Sequence, residues 1–94
     1  MDTDELIIES IIDLVNKKFP KLVDNNRYCN RVTFYVDGRH VCLVCVRCDA
    51  LIVCGGWYDD LSVPLADPNM VDIITTRLYR NIDRFIVNRN RRKI

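Results

Sequence analysis

An α+β fold is predicted by three observations. Apolar residues recur at helical spacing near both ends of the chain, β-branched and aromatic runs fill the middle, and Asp37-Gly38 separates two of those runs. Helices at the ends with strands between them are segregated rather than alternating, which points away from βαβ units. The expected architecture is an N-terminal helix, a small antiparallel sheet of about three strands with a type I′ hairpin, and a long C-terminal amphipathic helix. At 94 residues the chain fits one domain, 1–94, with a modest core. Its 49% apolar and 29% charged content suits a globular chain and excludes a wholly disordered one.

The first helix opens on Asp2-x-x-Glu5, a capping box with acidic residues at a helix N-terminus. Leu6, Ile7, Ile8, Ile11, Ile12, Leu14, Val15 and Phe19 give it a broad apolar stripe, Lys17 and Lys18 suit its last turn, and Pro20 ends it. Residues 21–30 are polar and read as a connection. Val32 to Val36 and Arg39 to Val46 flank Asp37-Gly38, a favoured type I′ pair. Asp49-Ala50 marks another turn, and Leu51 to Cys54 is a short third strand. Gly55-Gly56-Trp57 follows; the glycines suit positive φ or close backbone approach, and the indole is expected to lie buried against the sheet and the second helix. Tyr58 to Ala66 reads as irregular or one helical turn.

Asp67-Pro68 begins the second helix, with Asp at the N-cap and Pro at the first helical position. Val71, Ile74, Leu78, Ile82 and Phe85 form its stripe, which Ile73, Tyr79 and Ile86 widen. Arg77, Arg80 and Arg84 repeat on the opposite, solvent-facing side. Residues 88–94 continue no stripe and read as a mobile basic tail.

Net charge conceals a polarity. Residues 77–94 carry Arg77, Arg80, Arg84, Arg89, Arg91, Arg92 and Lys93 against Asp83, a net of +6. Residues 1–76 carry seven basic against twelve acidic side chains, a net of −5. A basic pole on an acidic body points to a polyanionic partner: nucleic acid, an anionic membrane surface or an acidic protein. A solvated helix face with a basic end is the plainer alternative. No apolar stretch is long enough to span a membrane, and the acidic opening is not that of a secretory signal.

The five cysteines, Cys29, Cys42, Cys45, Cys48 and Cys54, are an odd set that suits reduced thiols in the cytosol or nucleus. Cys42-x-x-Cys45-x-x-Cys48 resembles a metal-ligand run, but its flanks are those of a strand, in which Cys42 and Cys48 face one side and Cys45 the other. Small core residues are the expected role, with zinc ligation or a redox pair as alternatives. His40 is the single histidine, and neither it nor Asp59-Asp60 falls in a recognisable catalytic pattern. No enzyme activity, cofactor or metal is expected.

Leu43-Val44-Cys45-Val46-Arg47, then Leu51-Ile52-Val53-Cys54-Gly55-Gly56-Trp57, then Leu61 and Leu65-Ala66-Asp67-Pro68 carry a resemblance over about residues 28–70. This stretch resembles the growth-arrest-specific-protein-two-related (GAR) domain, which would make the chain a single GAR-like α+β domain. Gly55, Gly56, Trp57, Asp67 and Pro68 are its structural motif. The family's zinc-binding cysteine after Asp-Pro is replaced by Asn69 and Met70, and no Cys-x-Cys precedes Tyr28, so no zinc site is expected.

The resemblance implies a cytoplasmic, cytoskeleton-associated interaction module that binds microtubules or tubulin. Its binding residues would be the arginines of the C-terminal helix, Arg77, Arg80 and Arg84, with Arg89, Arg91, Arg92 and Lys93. Two alternatives stand beside it. The same basic terminus could bind nucleic acid, with Tyr79 stacking on a base. The wide apolar stripes could instead make the chain a homodimer or a dimerising subunit of a multi-protein complex.

Overall fold

The computed structural model describes residues 3–92. α1 (Thr3–Lys18) leads into five strands, β1 (Val23–Tyr28), β2 (Arg31–Val36), β3 (Arg39–Arg47), β4 (Ala50–Cys54) and β5 (Leu61–Pro64), and α2 (Met70–Arg92) closes the fold. Each strand pairs antiparallel with the next, so the sheet order is β1-β2-β3-β4-β5. α1 lies over β1 to β3, α2 over β3 to β5, and the helices touch each other.

Period-two alternation decides which face they cover. Val32, Phe34, Val36, Val44, Val46, Leu51, Val53 and Val63 turn inward and are buried with Ile8, Ile11 and Val15 of α1 and Ile74, Leu78 and Ile82 of α2. Their strand neighbours Thr33, Tyr35, Leu43, Cys45, Ile52 and Cys54 form the open face and stay half-exposed. Tyr79 crosses the helix pair: its ring packs edge-on against Phe19, and its hydroxyl donates to the Leu14 carbonyl at 3.3 Å. Burial raises its pKa, with the Asp72 charge adding to the shift.

The sheet has five strands where the sequence predicts about three. β1 is formed from part of the polar connection expected over 21–30. Only Val23 of β1 is buried, and Arg27 is tied to Glu9 of α1 by a salt bridge, so β1 carries little apolar signal. β5 occupies Leu61–Pro64 within the stretch expected to be irregular between Tyr58 and Ala66. Its register sets Leu61 opposite Val53 and Val63 opposite Leu51. Leu65 N–H donates back to the Asp49 carbonyl, so alternation turns Pro64, which has no N–H, toward the free edge.

The connections also differ in detail. Asp37 (φ 53°) and Gly38 (φ 75°) join β2 to β3, with Val36 opposite Arg39. The ladder beyond them is not a regular hairpin, because Phe34 faces Cys42 while Tyr35 faces His40, leaving Val41 as an extra residue. That bulge buries Val41 and Cys42 consecutively. The next turn is Cys48-Asp49, both at positive φ, rather than Asp49-Ala50; Ala50 already pairs with Arg47. Cys48 therefore sits in a turn and shares no strand face with Cys42. α2 begins at Met70 rather than at Asp67-Pro68; the Asp67 carboxylate accepts from Asn69 N–H at 2.8 Å and closes a turn before the helix. At its other end α2 runs on to Arg92, so residues 88–92 of the expected tail are helical. Asp2 of the expected capping box and Lys93 lie outside the described residues.

Candidate binding face on the second helix

Ile74, Leu78 and Ile82 turn into the core, which sends Arg77, Arg80 and Arg84 to the other side of α2. That side is not bare. The segment after β4 folds back over it, beginning with Gly55 (φ 90°) and Gly56 (φ 79°), a conformation that side-chain-bearing residues rarely adopt. Gly56 also lies against the Asn81 amide so closely that a Cβ there would overlap its oxygen. Trp57 N–H donates to Asn81 Oδ1 at 3.2 Å, which fixes the loop to the helix.

The two aromatic residues that follow then meet the arginines. The Trp57 ring packs edge-on to Phe85, with centroids 6.0 Å apart. The Arg84 guanidinium stands 5.6 Å from the centre of Trp57 and 5.8 Å from that of Tyr58. Arg77 lies 5.3 Å from the Tyr58 ring centre and donates to the Asp59 carbonyl at 2.8 Å. Ring and cation thus alternate as Trp57, Arg84, Tyr58, Arg77 across the helix surface, each contact worth about 0.5–1 kcal/mol where exposed. Trp57 remains 41% exposed and rests on α2, which corrects the expectation of an indole buried against the sheet.

Arg80 differs from its neighbours. It is exposed and has no side-chain hydrogen bond, ion pair or ring contact among the described residues. Beside it an open groove of about 330 Å³ runs between the start of α2 and β5, lined by Leu61, Asp72, Ile73, Thr76, Arg77 and Arg80. Ile73, expected to widen the core stripe, is 37% exposed in this groove.

The remaining expected binding residues are spread further along. Arg89 is half-buried and forms a salt bridge with Asp37 in the β2–β3 turn, so its charge is already neutralised. Arg91 is exposed, Arg92 ends the helix, and Lys93 falls outside the described residues. Among the described residues, Arg89 therefore adds no unpaired charge to the surface around Arg80. Asp67 and Pro68 shape the turn into α2.

Tyr58, Asn81 and Ile73 belong to this face and do not stand out in the sequence as binding residues. Asn81 offers a signal: it is a polar residue at core spacing, three from Leu78 and four from Phe85, and such a residue requires a partner. It is 1% exposed, and its Nδ2 has no hydrogen-bond partner among the described residues. The stacking of Tyr58 has no local signal, because its partners lie about twenty residues away.

The other chemistry-bearing groups stay dispersed. His40, Asp59 and Asp60 are exposed. Burial pushes the Cys42 thiol up to about 12. On the open sheet face burial also raises Cys45, against the opposing pull of Arg47 and Arg31. Burial raises Cys54 too, followed by the Asp60 carboxylate and Cys45. Thiols shifted this way stay protonated and are poor nucleophiles at neutral pH. Among the described residues no three His, Cys, Asp or Glu side chains gather as metal ligands, and no helix is long and apolar enough to cross a membrane. No family model, curated protein or solved structure matches the chain.

Proposed function

We propose that the chain is a non-enzymatic protein-interaction module that takes an acidic protein surface on the arginine–aromatic face of α2. The observation that carries this reading is the free Arg80 between Arg77 and Arg84, whose guanidinium groups are held over Tyr58 and Trp57. Cations held in place lose less side-chain freedom on binding than free ones, and Arg presents a planar fork that matches carboxylates. The exposed Trp57 adds the aromatic contact that binding faces favour.

The acidic surface of tubulin is the first partner to test, in keeping with the GAR resemblance, and it would place the protein at the cytoskeleton in the cytoplasm. Asp72 and Asp83 lie on the same helix as these arginines, Asp59 and Asp60 follow Tyr58 in the loop that packs against them, and all four are exposed. They favour a partner whose carboxylates are placed individually over a uniformly charged phosphate backbone.

Co-sedimentation with microtubules, repeated as salt rises through about 0.15 M, tests the proposal. At that ionic strength the screening length is about 8 Å, and exposed charge contacts weaken. Arg80→Glu should reduce binding about tenfold at low salt while leaving the melting temperature within about 2 °C of the parent, since an unpaired surface charge contributes little to stability. Undiminished binding by Arg80→Glu would remove the arginine face from the reading. Retention of a single-stranded oligonucleotide in place of microtubules, with the same Arg80 dependence, would assign the face to nucleic acid.

A further inference from the structure

The groove beside Arg80 narrows the kind of partner. We infer that it holds one aliphatic side chain of an extended peptide whose acidic residues lie along Arg80 and Arg84; this rests on the acidic-partner reading above. The groove has an apolar wall, formed by Leu61 of β5 and Ile73 of α2. Ile73 is 37% exposed at a helix position where a polar residue would serve solubility as well. At about 330 Å³ and open to one side, the groove is at the lower end of ligand-pocket sizes, about 300–1,000 Å³. That suits a single side chain with its flanking backbone.

Charge sets how the peptide lies. Asp72 stands toward the start of α2, while Arg77 and Arg80 stand one and two turns further on. Arg84 follows one turn beyond Arg80 on the same side. A peptide carboxylate at the Asp72 end meets like charge; along Arg80 it meets an unpaired guanidinium. The aliphatic residue therefore sits over Leu61 and Ile73, and the acidic run extends toward the C-terminal end of α2. Strand addition to β5 is not the mode of binding, because Pro64 offers no N–H to that free edge and the strand is four residues long. Side chains hold the peptide.

Two fluorescein-labelled peptides test this by anisotropy: a short glutamate run, and the same run with one leucine at an end, made in both orders. The leucine should tighten binding about tenfold in one of the two orders. Ile73→Gln, which suits a helix at least as well but removes the apolar wall, should cancel that advantage and leave the leucine-free peptide unchanged. Arg80→Glu should weaken both peptides. Equal affinity with and without leucine, or an advantage that survives Ile73→Gln, would overturn the groove while leaving the arginine face standing. Should no peptide bind, or should Arg80→Glu change nothing, the acidic-partner reading fails and the groove proposal falls with it. A melting temperature for Ile73→Gln equal to that of the parent confirms that the lost advantage is not a loss of fold.

Discussion

Two parts of α2 show how differently one helix can meet its surroundings. Residues 74–85 are held on two sides, by the sheet under Ile74, Leu78 and Ile82 and by the Gly55–Tyr58 loop over Asn81, Arg84 and Phe85. Residues 86–92 have one side-chain polar tether among the described residues, the Arg89–Asp37 salt bridge, and Val87 there is 48% exposed. Both parts carry arginines, yet Arg77 and Arg84 are stacked on rings, the half-buried Arg89 is paired with a carboxylate, and Arg80 and Arg91 have no such partner among the described residues. Outward spacing shows where a cation points and not whether its charge is already in use.

The sharpest break in that contrast is at Gly56. Gly56→Ala places a Cβ against the Asn81 amide at φ 79° and disrupts the Trp57–Asn81 hydrogen bond, at a cost of about 2–4 kcal/mol. In a domain of this size that lowers the melting temperature by about 4–8 °C per kcal/mol. Amide exchange should then quicken along residues 74–85 and bring them closer to 86–92. A variant that melts with the parent would show that the loop does not hold the helix.

Trp57→Ala should cost less, about 1–2 kcal/mol, because the indole is 41% exposed and the backbone N–H that bonds Asn81 is kept. Loss of about 3–5 kcal/mol, the range for a buried Trp, would mean that the ring anchors the core after all. The smallest change is expected at the other end. Arg89→Ala removes an ion pair that is largely at the surface and should cost about 0.2–1 kcal/mol, read by denaturant midpoint. A larger loss would show that residues 86–92 are held as firmly as the first part.

These contrasts explain which parts of the molecule could be read in the sequence. Both helices were legible because Ile8, Ile11 and Val15, and later Ile74, Leu78 and Ile82, repeat at the spacing of a buried face. β2 and β3 were legible through β-branched runs around Asp37-Gly38, and β4 through the apolar run Leu51 to Cys54. β1 was not, since Asp24-Asn25-Asn26 has no apolar alternation and its place is set by cross-strand pairing to β2. β5 was hidden by its length and by Pro64. The arginine side of α2 could be placed by periodicity, but the rings stacked on it could not. Their position follows from the turn at Gly55-Gly56 and from Asn81, a contact between distant parts of the chain.

Pro64 bears on the stoichiometry of self-association. A sheet polymerises edge to edge only if every added copy presents two competent edges, one to dock and one to receive the next. Here β5 presents a short edge with a missing donor, whereas β1 presents six residues of polar but proline-free backbone. Among the described residues β1 is the longer free edge, so pairing through it occupies that edge in both copies and leaves only the short, proline-bearing β5 edges for further growth. One cyclic side chain thus disfavours growth beyond two chains by strand pairing, independently of anything bound on α2.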